Sequence, residues 1–321
     1  IDGRVIKTGL HRFGSAKAAG VYQPGLGPAL DGLFFQSNLG VVLSITLWLM
    51  PKPENFLAFY ISTEQDMLED IVESLSKLKR QGYLTSLPHI ANPFRVLPGL
   101  QQYPAEDAAS SIYPLAPKKL QHLRNHWQVG VWNVSGALYG TKEQVKLAKS
   151  ALKKQFRHFK ATQLNFVSDS LLQAIEKYQW LLSKLLRRDM ARVLAVLKPV
   201  HLMMKGQPSD SFLASAYWRM PELPENEYRL DQDGVGLIWC AVVAPAEGEH
   251  ARRIEKTVTD TLTSFDFEGG ITFTLLSERC LDAVISISFN RHSTDNIDWD
   301  QKAIACRSQL YKSLLQDGYF P

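Results

Sequence analysis

Surplus charge is nearly absent: 36 Lys and Arg face 32 Asp and Glu in 321 residues, a formal charge of +4. So small a surplus argues against a basic arm and against nucleic acid as a partner. Cysteine is scarce too. Cys240, Cys280 and Cys306 are far apart, odd in number and lack a CxxC pair, which leaves no support for a disulfide framework or a zinc ribbon; buried free thiols are the plain reading. Long apolar runs are also missing. The stretch with least charge, Val21 to Met50, is interrupted by Asp31, Gln36, Ser37, Asn38 and several Gly and Pro, so no membrane span is expected. Ile1-Asp2-Gly3-Arg4 is not a charged leader before an apolar core, so no signal peptide is read there, and a cytoplasmic location is the default expectation.

The common chemical signatures are absent as well. There is no GxGxxG after a strand, no GxxxxGK(S/T) and no GxSxG elbow. Among eight histidines only His122 and His126 have the i,i+4 spacing of a zinc-binding helix, and neither a Glu after His122 nor a third ligand accompanies them. They read as surface histidines of a short helix. Glu222 and Glu225 sit in a polar loop where solvation is the default. No metal site is expected.

What is present is a globular composition, 45% hydrophobic and 21% charged, long enough for two domains of roughly 150 residues. Asp2-Gly3 reads as a hairpin turn leading into a strand at Arg4 to Lys7, which suggests a piece of something longer. Residues 8–31 read as an ordered Gly- and Pro-rich loop, with Gly20, Pro24, Gly25, Gly27 and Pro28, and Val41 to Met50 as a buried strand. Pro51-Lys52-Pro53 then marks a boundary, because two prolines around one lysine cannot continue a ladder.

Beyond it, strands alternate with amphipathic helices. Phe56 to Ile61 reads as strand, and Ser62 with Gln65 as a capping box opening a helix over 63–80. Trp127 to Tyr139 reads as strand. Thr141 with Gln144 is a second capping box, opening a helix with Val145, Ala148, Leu152 and Phe156 on one side and Lys142, Lys146, Lys149, Lys153 and Lys154 on the other. That lysine face is either solvated or a docking surface for an acidic partner. A strand at 159–167 precedes a helical region at 169–197 containing Arg187-Arg188-Asp189, and Pro199 to Pro224 reads as irregular. Strand Val235 to Val243, a helix at 249–264, strands Ile271 to Leu276 and Ala283 to Phe289, and a helix at 299–316 complete the pattern. The expected fold class is α+β, an antiparallel sheet flanked by helices.

One passage is unusually dense in small and amide residues: Asp31-Gly32-Leu33-Phe34-Phe35-Gln36-Ser37-Asn38-Leu39-Gly40-Val41-Val42. Gly32, Ser37 and Gly40 let backbone approach a ligand, while Gln36, Ser37 and Asn38 offer hydrogen-bonding groups. Read from residues alone, it is either a loop entering a strand or a backbone cradle for a phosphate or a flat heterocycle. With Trp48-Leu49-Met50-Pro51-Lys52-Pro53, this run resembles the end of the FAD-binding domain in the vanillyl-alcohol oxidase and p-cresol methylhydroxylase family. The likeness continues through Asn133, Gly136-Ala137-Leu138-Tyr139-Gly140, Lys205-Gly206-Gln207-Pro208-Ser209-Asp210, Tyr217-Trp218-Arg219, Ile271-Thr272-Phe273-Thr274, Ser277-Glu278-Arg279-Cys280-Leu281-Asp282 and Phe289-Asn290-Arg291.

The resemblance implies a two-domain flavoenzyme, with residues 1–53 as the last part of the FAD-binding domain and 54–321 as the cap that shapes the substrate pocket. FAD is the implied cofactor, touched by Gly32, Ser37, Asn38, Gly40, Val41 and Val42. Asp282 is the implied flavin- or substrate-facing acid, with a structural strand-end carboxylate as its plainer reading; no catalytic residue is assigned. The family's glycine-rich pyrophosphate half is absent, and the chain ends at Gly318-Tyr319-Phe320-Pro321, where its phenolate-polarising Tyr-Arg pair would begin. Neither His nor Tyr stands at Leu281-Asp282-Ala283 to link a flavin covalently. The implied activity is hydride removal from a para-substituted phenol or a related benzylic or allylic alcohol, by a fragment inactive alone. A homodimer or a cytochrome is the implied protein partner. Two other readings stay open: a silent cap-like binding or oligomerisation module, and a biosynthetic FAD oxidase for a non-phenolic alcohol.

Overall fold

A computed structural model describes residues 3–22, 28–104, 114–187, 189–224, 227–293 and 295–321. The chain divides into two compact units, Ile1–Lys52 and Pro53–Pro321. In the first, regular structure is limited to two 3₁₀ turns, Gly9–Arg12 and Asp31–Phe34, among the described residues. The Trp48 indole N–H donates to the Gly20 carbonyl at 2.9 Å. The expected strands at Arg4 to Lys7 and Val41 to Met50 do not form, and the apolar run is exposed rather than buried, with Trp48 at 72% and Leu49 at 82%. Apolar, β-branched residues supply strand propensity but not a partner; no described residue pairs with this run, and a strand without a ladder has nothing to define it. Asp2 of the expected hairpin, and Pro24, Gly25 and Gly27 of the loop, lie outside the described residues.

The second unit is built on seven strands: β1 (Asn55–Thr63), β2 (His89–Ala91), β3 (Trp132–Gly140), β4 (Thr162–Val167), β5 (Val235–Pro245), β6 (Gly270–Leu275) and β7 (Cys280–Asn290). They form one sheet in the order β4-β1-β3-β2-β6-β7-β5, antiparallel at every step. Its helices are α1 (Leu68–Arg80), the single turn α2 (Pro93–Val96), α3 (Pro117–Trp127), α4 (Lys142–Phe156), α5 (Asp169–Lys177), α6 (Gln179–Leu186), α7 (Met190–Met203), α8 (Gly248–Ser264) and α9 (Trp299–Gln316). The fold is therefore α+β, an antiparallel sheet flanked by helices.

Four helices cover one face. Leu68, Ile71, Val72, Leu75 and Leu78 of α1 recur at helical spacing, as do Val145, Ala148, Leu152 and Phe156 of α4, Ala251, Ile254, Val258 and Leu262 of α8, and Ala303, Cys306, Leu310 and Leu314 of α9. They pack on alternate strand residues such as Phe59, Ile61, Val134, Leu138, Ile90, Phe273, Cys240, Val242, Ile285 and Ile287, the period-two signature of a strand burying one side. Cys240 and Cys306 are buried free thiols of this core and Cys280 is a half-buried one. Where β1 crosses β3, a Cβ on Gly136 would meet the Phe59 ring, so that position requires glycine.

Helix α4 starts at the capping box expected: Thr141 Oγ1 accepts from Gln144 N at 3.3 Å, and Gln144 Oε1 accepts from Thr141 N at 2.8 Å. The Ser62 and Gln65 box does not form. Ser62 and Thr63 stay in β1, paired on both sides with β3 and β4, and α1 begins only at Leu68. Two ladders outweigh one cap. Trp127 closes α3 rather than opening β3, and β4 begins at Thr162. The region 169–197 is three helices, because Tyr178 interrupts it and Arg187 adopts a left-handed φ of 51°. Arg188 of its charged cluster lies outside the described residues. Helix α7 runs through Pro199 to Met203, and a 3₁₀ segment occupies Asp210–Tyr217, so part of the stretch expected to be irregular is helical.

Asn92 fastens the short strand β2. Its Nδ2 donates to Gly269 O at 2.6 Å, its Oδ1 accepts from Ile271 N at 3.2 Å, and the residue is 8% exposed. Asn92→Ala should cost about 1–3 kcal/mol, read as a lower urea midpoint, since it strands a buried N–H and a buried carbonyl.

Candidate functional site

Strand alternation gives the sheet a second face, and the helices leave much of it open. At one end Leu172 and Ile175 of α5 and Leu194 and Leu197 of α7 cover Phe56, Ala58 and Tyr60 of β1 and Val167 of β4. At the start of β5, Ala216, Tyr217 and Met220 pack on Val235, while Leu237, Trp239 and Val243 farther along the same face stay exposed.

A single row crosses this face. Register pairs Tyr60 with Ser135, Ser135 with His89, His89 with Thr274, Thr274 with Asp282 and Asp282 with Val243. Five strands thereby contribute Tyr60, Ser135, His89, Thr274 and Asp282, residues separated by up to 222 positions in the chain. Neighbouring strands are about 4.8 Å apart, so side chains in adjacent places of the row can touch. His89 Nδ1 and Thr274 Oγ1 are 3.0 Å apart. The His89 ring edge reaches solvent, yet the sheet around it strips enough water to hold its pKa below the usual histidine range. Asp282 is half-buried, and desolvation raises its carboxyl above the usual aspartate range. Tyr60 hydroxyl is buried with no hydrogen-bond partner among the described residues, and burial pushes its pKa up. The row thus combines a neutral imidazole, an acid that holds its proton more tightly than usual, and hydroxyls.

Farther along β6 and β7, Arg95 of α2 reaches the same face. Its Nε donates to Thr272 Oγ1 at 3.3 Å and its Nη1 to Ser286 Oγ at 2.7 Å, and its guanidinium carbon is 6.0 Å from the Trp239 ring centre.

Of the residues implied as cofactor contacts, Gly32 lies in the 3₁₀ turn Asp31–Phe34 and has no atom within 4 Å of a notional Cβ. Ser37 Oγ accepts from Leu39 N at 3.1 Å, and Gln36 takes a left-handed φ of 48°. The amides of Asn38, Gly40, Val41 and Val42 donate to no described residue; Asn38, Val41 and Val42 are exposed and Gly40 half-buried. These residues belong to the first unit, Asp282 to the second.

Other residues singled out by sequence hold the fold. Arg219 Nη2 pairs with Glu268 Oε2 at 2.7 Å, both buried, and Lys205 pairs with Asp169 at 2.8 Å. Arg291 forms a fork on Asp300, and Asn133 closes the turn at Gly130. His122 and His126 are exposed on α3, and among the described residues no three His, Cys, Asp or Glu cluster as metal ligands. Glu225 lies outside the described residues. His89 and Arg95 were not singled out, because β2 is three residues long and α2 four, too short for any periodicity to register.

An antiparallel sheet with one helix-covered face and one open polar face is the cap fold of a class of flavoenzymes. Solved structures share it over 99% of this chain: p-cresol methylhydroxylase with substrate bound, at TM-score 0.78 and 21% identity over 54% of that chain, and 4-ethylphenol oxidase from Gulosibacter chungangensis in its isoeugenol complex, at 0.77 and 19% over 55%. In sequence, the whole chain is 30% identical to the 1'-carboxy-chondrochloren decarboxylase of Chondromyces crocatus, covering 58% of it. Over 99% of its length it is 23% identical to the 4-cresol dehydrogenase (hydroxylating) flavoprotein subunit of Pseudomonas putida, covering 54% of it. The chain therefore spans little more than half the length of these relatives. No family model matches it. Its fold is the one it shares with p-cresol methylhydroxylase and 4-ethylphenol oxidase.

Because His89 is held neutral, its proton uptake in the folded protein lags that of the unfolded chain, so it withdraws stability as pH falls below about 6.5. Its imidazole resonance should titrate below that value. His89→Gln should lose less stability between pH 7 and 5 than the parent; a midpoint at or above 6.5 would contradict the assignment.

Proposed function

We propose that the protein is an FAD-dependent oxidoreductase that removes a hydride from a benzylic or allylic carbon of a para-substituted phenol or a related alcohol. Residues 1–53 are the closing part of the FAD-binding domain and 54–321 the cap. The observation that carries this reading is the row Tyr60, Ser135, His89, Thr274 and Asp282 across the open face of a cap sheet. Similarity to flavin-dependent phenol-oxidising proteins over the whole chain supports it.

FAD, when bound, supplies the two-electron acceptor. Gly32, Ser37, Asn38, Gly40, Val41 and Val42 would hold it, largely through backbone. Amides that donate to no described residue, in an accessible run, and open space at Gly32 fit that part, because a cofactor's oxygens need free donors and close approach. Asp282 handles the substrate proton at its carboxyl oxygen; its raised pKa brings it nearer the range where a carboxyl both gives and accepts a proton. His89, neutral and hydrogen-bonded to Thr274, orients polar substrate groups without adding charge.

Lys149 and Lys153 on α4 lie 4.9 and 5.9 Å from the Phe166 ring centre, on the helix-covered side away from Asp282. A cytochrome docked on the lysine face of α4 would pass electrons onward without altering oxidation itself.

Anaerobic mixing of the flavin-loaded full-length parent protein with 4-ethylphenol should bleach the oxidised flavin band, whereas residues 1–321 alone should not. Asp282→Asn should slow bleaching by about a hundredfold or more, on the order of what general acid–base groups contribute. Lys146→Glu with Lys153→Glu should leave it unchanged while weakening any cytochrome partner in a salt-sensitive way. Absence of bleaching with 4-alkylphenols and with allylic or benzylic alcohols alike would sink the assignment.

A further inference from the structure

Arg95 is held out on the open face of the sheet. Among the described residues no carboxylate pairs with it, whereas Arg219, Arg252 and Arg291 of the same unit all have one. Its two bonds go to neutral hydroxyls, Thr272 Oγ1 and Ser286 Oγ, which orient the guanidinium without neutralising it. Trp239 flanks it at 6.0 Å. Among the described residues Nη2 donates to no atom, and Nη1 has a second hydrogen to spare, so the end of the fork is open to a two-pronged contact. Desolvation already strains this charge, lowering its pKa. A partly buried arginine with its fork fixed and its counter-charge missing is an anion receptor.

We propose that Arg95 is a specificity-determining residue that binds a carboxylate on the substrate, so that the preferred substrate class is a carboxylated alkylphenol or alcohol rather than a neutral one. This rests on the oxidoreductase reading above and names the substrate of the same face. Ser286 stands four residues from Asp282 on β7, about 13 Å along the strand. A carboxylate on Arg95 is thus kept clear of Asp282, so the two acids do not repel at close range.

The probes are 4-hydroxyphenylacetate and 4-ethylphenol, which share the phenol and a two-carbon substituent and differ in one carboxylate. Their dissociation constants for the flavin-loaded protein are read by calorimetry. The parent should favour the carboxylate by about ten- to hundredfold, as a charge-assisted contact implies. Arg95→Gln should erase that preference while leaving 4-ethylphenol affinity within about twofold, and Arg95→Lys, which keeps the charge but not the fork, should retain part of it. A parent without preference, or an unchanged ratio in Arg95→Gln, overturns the proposal while 4-ethylphenol binding leaves the oxidoreductase reading standing. If neither probe binds the parent, both fall. Loss of 4-ethylphenol binding in Arg95→Gln but not in Arg95→Lys would also overturn it, since Arg95 would then be supporting the pocket rather than choosing its ligand.

Discussion

The sheet of the second unit depends on three residues. Strands β4, β1 and β3 form one ladder and β6, β7 and β5 another, and the described residues join them only through β2, His89–Ala91. Three residue pairs on each side are few for such a join, and Asn92 lengthens it: its amide side chain bonds Gly269 O and Ile271 N as one more backbone step would. Ile90 adds the apolar contribution, fully buried between Val134 and Phe273 in register. Because a one-residue slip turns every side chain to the opposite face, this short strand also sets which groups from the two halves meet.

That is why chemistry appears at the join. His89 is the middle of the row linking Tyr60 and Ser135 on one side to Thr274 and Asp282 on the other. Asn92 starts the turn of α2 that places Arg95 over Thr272 and Ser286. One fastening therefore positions an imidazole, a carboxyl and a guanidinium. The opposite face, packed by α1, α4, α8 and α9, supplies the rigidity such positioning needs.

Much of the resemblance in sequence marks residues that hold the architecture. Arg219 and Glu268 form a buried pair, and Glu268 Oε1 also accepts from Leu115 N at 3.2 Å, so one acid ties three segments together. Removing either partner would leave a buried charge unpaired, a stronger constraint than the pair's net contribution. Gly136 is required by the Phe59 ring, and Arg291 by Asp300. Such packing motifs identify the fold.

Sequence by itself determined the elements whose periodicity is long enough to see: α4 with its capping box, the apolar stripes of α8 and α9, the alternation of β5 and β7, and the α+β class they compose. Tertiary structure decided the rest. Val41 to Met50 has strand composition but finds no ladder, and Ser62 gave up its cap because β3 and β4 claim its backbone. Tyr60, Ser135, His89, Thr274 and Asp282 become neighbours only through strand order and register, which are long-range pairings. Local pattern carries the tendency of a segment to be strand or helix; which distant strand it meets is settled by burying all the stripes at once.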